Sequence, residues 1–275
     1  MLTLVEVTNV RSDTLQLPLL NASNGYVVKD IEGLDPVNAA LTTSTMAQID
    51  GAQPQNASRG TRNITIKLGL EPDFISTTVQ SLRSALYDYF MPKANIQFGF
   101  YIDGALLAVA SGQVESFANS MFSADPEVDI SVLCYDPDFY GPAAETTSFD
   151  SVSTTMTTTF TYEGTSEAGV IVTLNVDRTV DGFTLYNTAP DNTLQKFNFS
   201  GTGAFIAGDI ITITSIPGSK SLTRSRAGIV SSVLYYLDDG ADWITFQRGD
   251  NLFRAFAAGA GVPCTLTYTP QYGGL

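Results

Sequence analysis

Apolar and polar residues alternate along most of the chain in runs of about four to eight, which predicts strands with one buried face. Turn-forming pairs such as Asn24-Gly25 and Asp103-Gly104 separate several runs and are typical of tight hairpins. In the first half the predicted strands are 2–7, 15–20, 26–31, 62–70, 96–102, 105–110, 113–117 and 128–134, and 122–126 is a predicted turn. This half therefore has the pattern of a β-sandwich.

One segment of the first half follows a helical period instead. The stretch FISTTVQSLRSALYDYFMPK occupies residues 74–93 and predicts a helix over about residues 76–90. Thr77 and Gln80 have capping-box spacing, and Pro92 ends the helix. Such a short helix needs a sheet to pack against. The side chains expected to point inward are Val79, Leu82, Leu86 and Phe90.

A polar segment from Asn38 to Asn56 interrupts the strand pattern. It has few large apolar residues and several Gly, Pro, Gln and Asn residues. We interpret it as a long exposed loop or hairpin arm. Segments of this length in a compact domain are usually functional, so we expect this one to touch a neighbouring subunit.

The best candidate for a domain boundary is the segment Tyr135–Pro142, which contains two prolines and a glycine near its end. We predict domains at 1–141 and 154–275, with 142–153 as a linker. Evenly spaced short strands in the second domain indicate a sandwich or jelly roll. They are predicted at 154–162, 170–176, 182–186, 194–199, 209–215, 221–225, 232–236, 241–246, 251–257 and 264–268.

Composition narrows the possible functions. The net charge is −14 at neutral pH, so the chain is poorly suited to bind a nucleic-acid backbone. It contains no histidine, which removes histidine-dependent nucleophilic triads and the commonest metal ligand. No apolar run approaches the length of a membrane span, and the N-terminus does not resemble a secretory signal. We therefore expect neither catalysis nor a cofactor nor a metal.

Two sets of residues are candidates for a contact surface. Asp125, Glu127 and Asp129 alternate on one face of a predicted strand, which is either a solvated face or part of an acidic lumen or subunit contact. Arg83 and Tyr87 lie on the helix away from its inward residues, so we expect them to face solvent or a neighbouring subunit.

Six blocks of the first domain resemble the distal tail protein family of long-tailed, siphovirus-type bacteriophages. Their order and spacing agree with the family across nearly the whole domain. They are 33–36 (GLDP), 50–51 with 62–66 (DG and RNITI), 82–93 (LRSALYDYFMPK), 112–115 (GQVE), 122–130 (FSADPEVDI) and 134–139 (CYDPDF).

The resemblance implies a virion protein of the tail tip, assembled in the cytoplasm of the bacterial host. Six copies would form a ring, with the first domains around a lumen and galectin-like second domains outside. The ring would join the tail tube to the central hub and hold receptor-binding proteins or fibres. A barrel of the oligonucleotide/oligosaccharide-binding type remains open for the second domain.

A second function stays open, namely a module that binds host-surface carbohydrate. Galectins stack a sugar on a tryptophan, and Trp243 is the single tryptophan of this chain. The residues after it, Ile244-Thr245-Phe246, favour a core position over a sugar contact.

Overall fold

The computed structural model describes residues 1–21, 24–45, 50–120 and 125–275. The chain forms two compact units, Met1–Pro142 with Tyr272–Leu275, and Ala143–Gln271. The C-terminal residues therefore return to the first unit, whereas the sequence assigned them to the second domain. Most of the predicted turn at 122–126 lies outside the described residues.

The first unit is built on one large antiparallel sheet with the strand order β2-β1-β7-β8-β9-β6-β3. Its strands, with the two of the arm, are β1 (Leu4–Asn9), β2 (Thr14–Pro18), β3 (Tyr26–Glu32), β4 (Ala39–Ser44), β5 (Gln53–Arg59), β6 (Arg62–Leu70), β7 (Asn95–Ile102), β8 (Ala105–Asn119), β9 (Glu127–Cys134) and β10 (Phe139–Tyr140).

Strand β6 shows how the sequence pattern builds this sheet. Ile64, Ile66 and Leu68 are fully buried, and the residues between them are exposed or half-buried. This is the alternation expected of a strand with one buried face. β6 pairs with β9 on one side and with β3 on the other, so its inward residues lie in the centre of the core.

The helix α1 (Val79–Phe90) packs on this sheet through Leu82, Leu86 and Phe90, which are all buried. The predicted inward face is thereby confirmed for these three residues, whereas Val79 is only half-buried. The predicted cap was wrong by one residue. The N-cap is Thr78, whose hydroxyl accepts from the backbone N–H of Ser81 in a reciprocal capping box.

Strands β4 and β5 form a separate two-stranded antiparallel sheet, which we call the arm. All its side chains are exposed except the half-buried Ser44. The hairpin arm predicted over 38–56 is therefore confirmed for its described residues, and residues 46–49 lie outside them.

The second unit is a sandwich of two antiparallel sheets around one core, with orders β11-β21-β13-β16-β17-β18 and β12-β20-β14-β15. Its elements are β11 (Glu145–Asp150), β12 (Thr158–Tyr162), β13 (Ala168–Asn175), β14 (Val180–Thr188), β15 (Leu194–Phe205), β16 (Ile210–Thr214), β17 (Ser221–Arg226), β18 (Ile229–Ser232), a 3₁₀ turn (Leu234–Tyr236), β19 (Thr245–Phe246), β20 (Gly249–Ala257) and β21 (Pro263–Tyr268). The last strand, β22 (Gln271–Tyr272), belongs to the sheet of the first unit, where it pairs with β10.

The structure corrects three predictions in this half. The predicted linker 142–153 contains β11, which pairs with β21 along its whole length. The predicted strand 232–236 is the 3₁₀ turn, and of 241–246 only Thr245–Phe246 is a strand. β11 was missed because its residues are polar and mostly exposed, and a solvated edge strand gives little hydrophobic pattern.

We predict that Leu86→Ala lowers the free energy of unfolding of the first unit by about 2–5 kcal/mol, because it leaves a cavity in the core. Native-state hydrogen exchange of the β6 amides measures this unit separately from the second. Val79→Ala is the matched control and should cause a smaller loss. Equal losses in the two variants would contradict the packing of α1 on its Leu82–Leu86–Phe90 face.

Candidate functional site: the base of the arm

A buried arginine lies where the arm leaves the body of the first unit. Arg62 is the first residue of β6, and only 1% of it is exposed. Its side chain lies in phase with Ile64 and Ile66, on the inward face of the strand. A guanidinium in such a place needs an acceptor for its N–H groups, because an unsatisfied buried charge is strongly destabilising.

Backbone carbonyls supply these acceptors. Arg62 donates to the oxygens of Gly33 at 2.5 Å and Asp35 at 2.8 Å, which lie just before the arm. It also donates to Pro137 at 2.8 Å and to Gly273 at 2.6 Å. Burial lowers the pKa of Arg62, but a guanidinium remains charged. One side chain thus fixes three segments that are distant in sequence.

Two further contacts tighten the same region. The Arg62 guanidinium lies 4.1 Å from the ring centre of Phe139, a cation–π contact. Gly33 has a φ of +87°, and a Cβ there would lie 1.9 Å from the carbonyl oxygen of Asn63. Only glycine allows this close approach. The chain therefore enters the arm along a fixed path.

The exit from the arm is held by a second arginine. Arg59, the last residue of β5, makes a two-pronged ion pair with Asp138, whose side chain is 6% exposed. Such paired hydrogen bonds fix both position and orientation. Both ends of the arm are thus anchored to the body, while its strands project into solvent. The sequence analysis missed both arginines, although the inward phase of Arg62 was a usable signal.

Of the three acids predicted on one strand face, Glu127 and Asp129 lie on β9 and Asp125 precedes it. Glu127 lies 2.5 Å from the Lys29 ammonium on β3, and the Lys67 ammonium on β6 lies 3.8 Å from Glu127 and 3.9 Å from Asp129. The hydrogen bond and charge of Lys29 lower the pKa of Glu127. Asp125 is exposed. Lysines on neighbouring strands therefore offset part of the acidic charge, and the place of these acids at a lumen or subunit contact stays a prediction.

The helix residues of the predicted surface are less exposed than expected. Arg83 and Tyr87 are half-buried. The Tyr87 ring packs edge-on against Phe117 at 5.1 Å, and the Arg83 guanidinium lies 5.8 Å from the Tyr87 ring centre. The Tyr87 ring therefore contacts β8 of its own unit, and the rest of both side chains remains accessible. Their role in a subunit contact stays a prediction.

Trp243 belongs to the second unit and packs against its core. Its ring centre lies 5.0 Å from that of Phe197, and the Lys220 ammonium lies 5.7 Å from the indole. The indole is half-buried. This arrangement favours the core interpretation over an open stacking platform for sugar.

The described parts of the chain contain no cluster of three or more acidic or cysteine side chains placed to hold a metal ion. Within the same ranges, no helix is both long and apolar enough to cross a membrane. The arm base holds an exposed hairpin in a fixed position, and Arg59 is the only charged residue of its two described strands.

Comparisons with known proteins give one clear result. No family model matches the chain, and no curated protein matches it. Among solved structures it is similar to the SPP1 Dit protein, described as a paradigm of the hub adsorption apparatus of phages that infect Gram-positive bacteria. The TM-score is 0.69 at 13% identity over 97% of this chain and 98% of that one.

The chain has the fold of a phage distal tail protein. Two chains of phage P2 baseplates in the activated conformation are also similar. One, with Ca, has a TM-score of 0.45 and 8% identity over the whole of both chains. The other, with Sr, has a TM-score of 0.41 and 7% identity over 95% of this chain and 97% of that one. The statement about the fold rests on the SPP1 protein.

We predict that Arg62→Met lowers the free energy of unfolding of the first unit by at least about 3 kcal/mol, because it strands several buried carbonyl oxygens. The amide of Leu275, which donates to Leu34 at 3.0 Å, should lose its protection from hydrogen exchange at the same time. Hydrogen exchange read by mass spectrometry measures both effects.

The matched control is Arg11→Met. The side chain of Arg11 is 62% exposed and pairs with Asp13 and Asp88 at the surface, so its loss should change stability by no more than about 1 kcal/mol. An Arg62→Met protein as stable as this control would show that the carbonyl contacts do not hold the three segments.

Proposed function

We propose that this chain is a structural subunit of a phage tail tip, and that six copies form a ring around a channel. The ring joins the tail tube to the central hub and holds the receptor-binding apparatus. The first unit forms the ring and the second, a galectin-like sandwich, faces outward. The fold shared with the SPP1 Dit protein supports this proposal.

The arm is the main observation in support of a ring. A two-stranded hairpin without a core is marginally stable in water. The arm exposes nearly every side chain, Leu41 at 71% among them. Its base is nevertheless fixed at both ends, by Arg62 and by the Arg59–Asp138 pair. A protein that holds such an element in position provides a surface for a partner, and in a ring each copy supplies the partner of the next.

The described arm is also chemically suited to a protein neighbour. Between Ala39 and Ser58 its described strand residues are small, hydroxyl-bearing or amide-bearing, with one leucine and one proline, and none of them is charged. Charge repulsion between copies of a strongly acidic chain would oppose assembly. Uncharged strands between Ala39 and Ser58 reduce this repulsion where the arm contacts its neighbour. Its exposed strands can also form backbone hydrogen bonds with a strand of the partner.

We predict that Leu41→Asp weakens self-association at least tenfold, because it places a charge in the arm contact. Light scattering coupled to size exclusion, over a range of protein concentrations, measures the change. Met156→Asp is the matched control, since Met156 is 72% exposed and belongs to the second unit.

A stronger variant replaces residues 40–58 by a short Gly-Ser linker and keeps Arg59 with its partner Asp138. This variant should stay folded, as seen by circular dichroism, and should be monomeric where the parent protein assembles. Assembly of the armless protein at parental affinity would exclude the arm as the ring contact.

A further inference from the structure

Two neighbouring apolar side chains project from the turn between β6 and α1. Phe74 is 78% exposed and Ile75 is 95% exposed. We call this pair the knob. Single exposed apolar residues are common on protein surfaces, but an adjacent aromatic and branched residue at a turn is a typical anchor for a partner.

The knob is held in place by the residue before it. The carboxylate of Asp73 accepts from the backbone N–H groups of Ile75 at 3.0 Å, Ser76 at 2.9 Å and Thr77 at 2.8 Å. The hydrogen bond from the Ser76 hydroxyl, together with these backbone bonds, holds the pKa of Asp73 well below its usual range. Phe74 itself has a φ of +55°, in the left-handed region that aromatic residues rarely adopt. The turn is therefore preorganised, and less conformational freedom is lost when it binds.

An open cleft of about 450 Å³ lies on the same unit. Six of its ten described lining residues are uncharged and polar, Gln97 and Ser111 among them, and the others are Val10, Ile96, Gly112 and Tyr135. None of the described lining residues carries a charge, so an apolar side chain can enter without leaving a buried charge unpaired. Val10 and Tyr135 are 73% and 66% exposed and form apolar surface at its rim. The cleft is suited to an aromatic or aliphatic side chain.

The knob and the cleft lie at opposite ends of the sheet. At the cleft, Ile96 is the cross-strand neighbour of both Asn9 and Gly112. Gly112 lies against Cys134, which pairs with Arg62 at the start of β6, so the cleft is at that end of the sheet. The knob follows Leu70, at the far end of β6. The nine residues of β6 span about 30 Å at 3.3 Å per residue. A knob therefore cannot reach the cleft of its own copy.

We propose that the knob of one copy inserts into the cleft of the next copy. Complementary surfaces at opposite ends of one molecule give a head-to-tail contact, which closes into a ring when the rotation between copies allows it. That the contact closes a ring rests on the proposed function. The exposed knob, the uncharged cleft and their separation on the sheet support the contact.

Single cysteine substitutions test the contact directly. Ile75→Cys and Ser111→Cys are prepared as separate proteins and mixed under mild oxidation. The native Cys134 and Cys264 are buried, and burial raises their pKa to about 11 and about 12, so they stay unreactive near neutral pH. We expect disulfide-linked dimers in the mixture, and none in either protein alone.

Three outcomes would overturn the proposal. The first is a disulfide in Ile75→Cys alone, which would indicate a two-fold contact between knobs. The second is a mixture that forms no more dimer than Met156→Cys mixed with Ser111→Cys. The third is a Phe74→Ala, Ile75→Ala double variant that associates as tightly as Met156→Ala, where we expect at least a tenfold loss.

Failure of this proposal is distinguishable from failure of the proposed function. Rings that persist in the double variant would exclude the contact between knob and cleft, and the proposed tail-tip ring would still stand. Cross-linked dimers in the mixture, together with open filaments in electron micrographs, would retain the head-to-tail contact and count against the closed ring.

Discussion

A guanidinium buried in a protein core must find acceptors for its N–H groups, and this requirement organises the first unit. Arg62 meets it with carbonyl oxygens from the segment before the arm, from the domain boundary and from the C-terminus. Backbone acceptors can be supplied only if these three segments run past the same point. Arg62 therefore links the position of the arm to the return of the chain to its first unit.

This arrangement explains how an exposed hairpin can have a defined direction. The core of the first unit fixes β6, and Arg62 fixes the entry to the arm relative to β6. The Arg59–Asp138 pair then fixes the exit. No part of this scheme requires a core within the arm itself. A rigid base with a solvent-exposed hairpin is suited to assembly with other copies.

The sequence predicted the elements with a strong hydrophobic period and failed where the period is weak. β6 was predicted with its observed bounds because its apolar residues alternate without interruption. The helix was recognised by its three buried residues, but its cap was misplaced because Thr77 and Thr78 are both capping residues. β11 was not predicted because its polar residues give no hydrophobic alternation. The chain return at Tyr272 depends on hydrogen bonds to Arg62 and Leu34, which no local pattern reveals.

The candidate site was harder to predict than the fold. The sequence placed the arm correctly and expected it to contact a neighbour, but gave no account of its base. An arginine in phase with inward isoleucines was the available signal, since such a residue must be satisfied within the protein. Contacts at long sequence separation, such as that between Arg62 and Gly273, arise only once the sheet has formed.

The symmetry of the assembled protein distinguishes a head-to-tail ring from other assemblies. Native mass spectrometry with class-averaged electron micrographs of the purified chain measures both the copy number and the rotation between copies. We expect closed rings of six copies with a central channel. A two-fold dimer as the largest assembly would contradict it, because that symmetry pairs identical surfaces and leaves no head-to-tail contact.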